Sequence, residues 1–383
     1  MRDDFLVFGA PLIGDDEISE VVHCLQSGWL GTGPKVARFE ADFAAYQGVS
    51  EKHVAAVNSC TAALHVCMIA SGIGPGDEVI TTPLTFAATV NAIVHAGATP
   101  VLADVDPDSM NIDPDAVAAA VTPRTRAIMP VHFAGRPCDM DALVAIAEAN
   151  DLMVIEDCAH AIETEYHGRK AGTLGNFGCF SFYVTKNVIT GEGGMIVARD
   201  DDHIARAKVL ALHGMSKDAW RRFSDEGHKH YFVVECGFKY NMMDIQAALG
   251  IHQLRRVEDN WLVRQSIWNR YQEAFSDLPA QTPAPAAADT RHAYHLYNLL
   301  IGETAPISRD AMLDAMTARK IGVGVHYLSI PEHPYYRERF GWRPQDFPNA
   351  QRIGRQTISL PLSPALRESD VEDVVEAVRH CLA

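Results

Sequence analysis

Apolar positions along the chain follow two periods. Residues 15–26 (DDEISEVVHCLQ) and 36–46 space theirs along one helical face, the first behind an acidic opening turn. From residue 53 short apolar runs alternate with helical segments. The pattern predicts strands over 53–57, 78–81, 100–104, 127–131 and 152–155, and helices over 61–70, 86–95, 113–121 and 139–150. Strand and helix in turn imply an α/β layer with a mostly parallel sheet, whose functional groups lie just past the strand carboxyl ends. Further on, the pattern predicts a helix from Asp244 through 264 that resumes over 268–275, a strand over 295–301, a helix over 308–320, a strand over 322–327 and a terminal helix over 369–382. This reads as a large domain over 1–259 and a smaller α+β domain over 260–383.

Three places stand past strand ends. Asn58-Ser59-Cys60-Thr61-Ala62 is a polar turn opening a helix, where free N–H groups suit a phosphate; many helices also begin this way only to be capped. No GxxxxGK[ST] or GxGxxG is present. Glu156-Asp157-Cys158-Ala159-His160 sets two carboxylates directly after a buried strand: a cap or surface pair, or Asp157 aimed into a site with His160 close behind. The third place is CFSFYVTKNVITGEGGMIV, residues 179–197, in which two apolar runs flank one lysine, Lys186, and a glycine turn. A lysine between buried strands is a stray surface charge or a desolvated nucleophile.

A phosphate cradle, a carboxylate and a lysine together are what pyridoxal 5'-phosphate requires: an amine for a Schiff base, a carboxylate to keep the ring nitrogen protonated, and amides and hydroxyls for the phosphate. Phe86, opening a helix, is placed either to stack on a ring or to pack in the core. Trp29 and Thr32 in the glycine-rich loop SGWLGTGP either face a ligand or belong to a plain connector.

Composition narrows the partners. The net charge of -16 argues against nucleic acid and anionic membrane. Eight scattered cysteines without a CxxC pair read as reduced thiols of a cytoplasmic protein, and no histidine spacing suggests a metal. The opening MRDDFLVFGAP has no signal-peptide core, and no run is long enough for a membrane span. Residues 200–235 read as an exposed excursion, with Arg221, Arg222, His228, Lys229 and His230 as a basic patch.

The motifs SGWLGTGPKVARFE, NSCTAALHV, TTPLTFAATVNAIVHAGATPVLADVD, VIEDCAHAIE, SFYVTKNVITGEGGMIV, GFKYNMMDIQAALG and VHYLSIPEHPYYRERFG together resemble the DegT/StrS-type sugar aminotransferases, nearly end to end. HAYHLYNLL and the stretch from ISRDAM to YYRERF resemble most the branch that aminates UDP-linked 4-keto sugars. The resemblance implies the aspartate aminotransferase fold, type I, with a mixed, mostly parallel seven-stranded sheet, pyridoxal 5'-phosphate as cofactor, and a homodimer with sites at the subunit interface. It implies Lys186 as the Schiff-base lysine, Asp157 on the ring nitrogen, His160 on the phenolic oxygen and Phe86 on the ring face. Cys60, Thr61 and Ser181 would hold the phosphate, joined from the partner subunit by Asn241 or, in the other possible position, by Lys239. Gly28, Trp29, Leu30, Gly31, Thr32, His326 and Tyr327 would line the sugar site. The implied reaction is ping-pong transfer of an amino group from an amino acid, glutamate foremost, to a nucleotide-linked keto sugar. Relatives that dehydrate a keto sugar carry His at the lysine position; others are suspected of regulatory binding without turnover.

Overall fold

Alternate residues of the first strand feed two different cores, and this sets the plan of the molecule. The structure, a computed structural model, describes residues 2–216 and 231–382, so the basic patch at 221–230 lies outside the described residues. The strands are β1 (Val54–Val57), β2 (Glu78–Thr81), β3 (Thr99–Leu102), β4 (Thr125–Met129), β5 (Met153–Asp157), β6 (Glu165–Tyr166), β7 (Arg169–Lys170), β8 (Phe177–Ser181), β9 (Gly194–Ala198), β10 (Thr290–Arg291), β11 (Tyr297–Leu300) and β12 (Thr357–Leu360). Seven of them form the main sheet in the order β1-β9-β8-β5-β4-β2-β3. All neighbours pair in parallel except β9, which runs against both β1 and β8.

The sheet is buried on both faces, so its strands read as near-continuous apolar runs such as VAAV and GMIVA. Ala55 and Val57 join Leu64, Met68, Ile155 and Ile196 on one face. Val54 and Ala56 join Phe39, Phe43, Phe180 and Phe182 on the other, as the pleat requires. The helices of the amino-terminal part are α1 (Asp15–Ser27), α2 (Pro34–Gln47), α3 (Cys60–Ala70) and α4 (Ala87–His95). Helix α2 lies so close to helix Asp244–Arg255 that a Cβ on Gly250 would stand 2.6 Å from the Phe39 ring.

A two-stranded sheet of β11 and β12 holds the second core, with Trp268, Tyr271 and Phe275 from helix Val257–Ala274, Met312 and Met316, and Val374 and Val378 of the last helix. Residue 260 falls inside that helix, whose first residue, Val257, packs with the Phe39 cluster.

Three expectations fail. The stretch 200–235 is not an exposed excursion throughout: residues Asp201–Ala211 form a helix whose Ile204, Ala207 and Leu210 are buried in the core with Leu64 and Ile196, because its apolar positions fall on one face. The helix expected to run through 264 breaks at Arg256, which leaves helical geometry (φ -107°, ψ 14°) and turns its guanidinium to the Leu12 carbonyl and Glu17. The strand expected over 322–327 is not formed. Gly322 donates to Leu6 O at 2.8 Å, while Gly324 exchanges hydrogen bonds with Ser359, so the segment meets two different neighbours and builds no ladder. Among the described residues no helix is long and apolar enough to cross a membrane.

Candidate active site

The carboxyl ends of β1, β2, β5 and β8 open on one edge of the sheet, and each delivers polar groups there. Past β1, Ser59 caps α3, its hydroxyl accepting from the Ala62 amide at 3.1 Å. The Cys60 and Thr61 amides are left without an acceptor inside the helix. The cap can sit against β9 only because residue 194 is glycine: a Cβ there would stand 2.6 Å from Ser59 C and 2.7 Å from Cys60 N. Ser181 pairs with Gly194 in the same place.

Strand β5 ends on the two carboxylates, and its pleat sends them to opposite sides. Glu156 is buried behind the sheet, accepting from the amides of Gly172, Leu174 and Gly175 and facing His132 Nε2 at 2.9 Å. His132, Glu156 and Cys158 are close enough to suggest a metal. However, Glu156 is already saturated, and His132 Nδ1 accepts from the Cys138 amide, so the cluster is a packed hydrogen-bond network. Asp157 turns to the site. It accepts from the Ala159 amide at 3.1 Å and the Thr89 hydroxyl at 2.9 Å, and the Cys60 thiol lies 3.9 Å away. Burial pushes its pKa up; the two hydrogen bonds and the charges of Lys186 and His132 oppose this. No cation among the described residues forms an ion pair with it.

Lys186 lies beyond β8, not on it. The strand stops at Ser181 and the chain turns, with the Lys186 amide donating to Tyr183 O at 2.8 Å. Burial brings its ammonium pKa down to about 8, against the pull of Cys60 and Asp157. His160 accepts the Ala134 amide on Nδ1 at 3.2 Å, so a neutral ring carries its proton on Nε2, 3.1 Å from the Tyr327 hydroxyl. Burial, aided by the Lys186 charge, keeps that ring neutral. Phe86 is 61% exposed, with its ring 5.8 Å from Tyr327. His326 packs on Phe8, and burial with the Lys186 charge lowers its pKa to about 4.

The remaining expected residues gather elsewhere in the chain. Gly28 ends α1 in the left-handed region (φ 72°), and Trp29, Leu30 and Gly31 follow, exposed. Thr32 accepts from Asn241 Nδ2 at 2.6 Å and donates to Met242 O. Trp29, Thr32 and Asn241 line a cavity of about 490 Å³ that Lys186 does not line. Asn241 Oδ1 is buried with no partner among the described residues. Within one chain the structure therefore joins Cys60, Phe86, Asp157, His160, Ser181, Lys186, His326 and Tyr327; Asn241 bridges Val57 at the end of β1 but turns its side chain to Thr32.

Four site groups escape the sequence reading: Thr89, Asn187, Glu163 and His295. Their signals are faint, a threonine one turn into a helix and polar residues inside apolar runs.

The donor set fits pyridoxal 5'-phosphate. Asp157 is a buried carboxylate lacking a cationic partner, the need a protonated ring nitrogen meets. Lys186 is partly neutral near pH 8, and two unclaimed amides open a helix. Comparison with known proteins agrees. The DegT/DnrJ/EryC1/StrS aminotransferase family model matches residues 11–379. The spore coat polysaccharide biosynthesis protein SpsC of Bacillus subtilis is 51% identical over 380 residues, 99% of this chain and 97% of that one. The aminotransferase TlmJ of Streptoalloteichus hindustanus superposes with a TM-score of 0.90 at 34% identity, covering 99% of this chain and 98% of its own. The PLP form of the sugar aminotransferase Spr1654 of Streptococcus pneumoniae does so with a TM-score of 0.91 at 30% identity, covering 99% and 100%. By its site chemistry, its fold and a likeness that spans its length, the chain belongs to the DegT/DnrJ/EryC1/StrS aminotransferase family, enzymes that work with pyridoxal 5'-phosphate.

Proposed function

We propose that this sugar aminotransferase takes the amino group of an amino acid, L-glutamate foremost, and delivers it to a nucleotide-linked keto sugar. The sugar favoured is a UDP-linked 4-keto-6-deoxy hexose or 4-keto pentose, on the strength of the HAYHLYNLL resemblance. The observation that carries the reading is the Lys186 amine, brought to a pKa of about 8 at the strand ends beside buried Asp157 and neutral His160. The polysaccharide role in the name of SpsC supports a sugar as acceptor.

When bound, pyridoxal phosphate supplies an electron sink for breaking a C–H bond next to nitrogen. The chain's residues do the rest. Asp157, held by Thr89 and the Ala159 amide, would keep the ring nitrogen protonated. His160 would offer its Nε2–H to the phenolic oxygen. The Cys60 and Thr61 amides and Ser181 would hold the phosphate, and Phe86 would lie against the ring. Lys186 Nζ moves the proton off the amino acid's α-carbon, help worth about 10² to 10⁴-fold. His326 and Tyr327 face the acceptor sugar. The keto acid leaves before the sugar enters, so the kinetics are ping-pong. Asn241 and the Gly28–Thr32 loop act across the interface of a homodimer, a role the family resemblance suggests and the unpartnered Asn241 Oδ1 supports.

A lysine at this position favours amination over keto-sugar dehydration, for which the resemblance implies histidine, and a regulatory binder has no use for the whole set. The test is spectral. Glutamate should bleach the visible band of the loaded protein, and one member of a panel of UDP-, GDP- and dTDP-linked keto sugars should restore it. If no amino acid bleaches the band, the reading falls.

A further inference from the structure

Asn187 follows the site lysine, and its side chain is fully committed. Nδ2 donates to Glu163 Oε2 at 2.8 Å and to Ala293 O at 3.1 Å. That orients the amide, and Oδ1 faces His295 Nδ1 at 2.9 Å. An amide oxygen only accepts, so His295 carries its proton on Nδ1 and, being neutral, a bare lone pair on Nε2. Neutrality follows from its surroundings: burial, with the charges of Lys186, His326, Arg264 and His292 around it, holds the ring's pKa well below the usual histidine range. The ring lies 4.4 Å from that of His160, inside the Lys186 cluster. Nε2 finds no partner among the described residues and is not among the polar atoms sealed from solvent.

Behind Asn187 stands an arrangement that makes little sense as a stabilising device. Glu163 is fully buried and paired with Arg264, itself 1% exposed. Nε and Nη1 of that guanidinium are buried with no partner among the described residues. Buried ion pairs seldom repay their desolvation, least of all with two nitrogens idle. Burial raises the Glu163 pKa, and the Arg264 charge is the chief pull the other way, toward the carboxylate. An ionised Glu163 can only accept, which fixes the Asn187 amide and through it the His295 tautomer. A protonated Glu163 could donate instead and let the amide turn over.

We infer that His295 is a further ligand-contacting residue of this site, offering its Nε2 lone pair to an N–H or O–H of the substrate, with Asn187, Glu163 and Arg264 as the positioning residues that hold it in that tautomer. The identity of the ligands rests on the aminotransferase reading; the tautomer does not.

Nitrogen-15 NMR of the full chain with labelled histidine, free of cofactor and near neutral pH, tests the tautomer, His295 being assigned by the signal lost in His295→Asn. An Nδ1–H ring is expected; an Nε2–H ring or an imidazolium overturns the inference. Steady-state kinetics test the contact. His295→Asn keeps a polar group toward Asn187 and removes the lone pair. KM should rise about tenfold for one substrate, with the dissociation constant of pyridoxal phosphate changed less than about twofold. A rise for the amino acid assigns the lone pair to an ammonium, and a rise for the sugar assigns it to a hydroxyl. Unchanged constants for both overturn the inference. His295→Gln, whose amide oxygen reaches the Nε2 position, should recover part of the loss, and it replaces His295→Asn should that chain fail to fold. If no amino acid bleaches the wild-type band, the function proposed above fails, while the NMR result still decides the tautomer.

Discussion

Lys186 sits where two demands conflict. Its chemistry needs an amine that is neutral part of the time, and burial provides that by making the charged form costly. Replacing it with alanine should cost at least about 10⁴-fold in turnover, read in a steady-state assay, with the chain still folded. The amine also sets a pH dependence. Its pKa in the folded chain is lowered to about 8, so the nucleophilic form grows as pH rises through that value. The rate at which cofactor-free protein takes up pyridoxal phosphate should therefore climb with a midpoint near 8, followed by absorbance. Stability follows the same shift with the opposite meaning. The unfolded chain holds this proton more tightly, so the burial cost is present in full below about pH 8 and fades as pH rises toward the ordinary lysine range. Lys186→Met should accordingly raise the melting temperature of the cofactor-free protein at neutral pH by a few degrees while abolishing activity, measured by calorimetry. Lys186, Asp157 and His160 were legible in the sequence because each closes or interrupts an apolar run. Thr89, Asn187, Glu163 and His295 were not, because each acquires its meaning from a partner 24 to 108 residues away.

At the scale of elements the phosphate cradle is a matter of fit between α3 and β9. Gly194→Ala would push a methyl group against Ser59 C and Cys60 N, displacing the helix end or bending the strand. Overpacking of this kind costs about 1 to 3 kcal/mol. The dissociation constant for pyridoxal phosphate should rise at least about tenfold, read by titration of the visible band, with a smaller loss in thermal stability. The strands of the main sheet and the helices between them were readable because parallel strands buried on both faces leave short apolar runs separated by helical periods, whereas the polar β6 and β7 were not. Ends were less readable. The run 179–184 reads as one strand, yet the regular ladder ends at Ser181; Phe182 and Tyr183 keep only isolated hydrogen bonds before the chain turns and the Lys186 amide meets Tyr183 O. The break at Arg256 was hidden because an arginine there suits a helix in every local respect, and only the distant Leu12 carbonyl and Glu17 draw it out. Strand β12 and helix Pro348–Gln356 went unread in a stretch whose pattern is interrupted by prolines.

At the scale of the molecule, α1 carries Ile18, Val22 and Leu25 on one face, all exposed, and the stripe continues into Trp29 and Leu30 with Met243 also exposed. An apolar face of that kind beside the cavity of Thr32 and Asn241 suits a second copy of the chain. The unsubstituted chain should sediment as a dimer, and Ile18→Glu with Leu25→Glu should sediment as a monomer and lose activity. Mixing Lys186→Ala with Asn241→Ala should restore activity through hybrids that own one intact site, which fails if Asn241 acts within its own chain. The sheet order has a further consequence, in time. Strand β1 is the first strand made, yet its sheet neighbour is β9, which also carries the glycine on which the α3 cap rests. Roughly 140 residues separate them, so at about 5 to 20 residues per second the ribosome takes about 7 to 28 seconds to supply the partner. Through that interval VAAV and the apolar face of α3 have no permanent place to go, and the cradle for the phosphate does not exist. A nascent chain of this kind is exposed to aggregation early, and it becomes able to recognise its cofactor only once the reversed strand has been made.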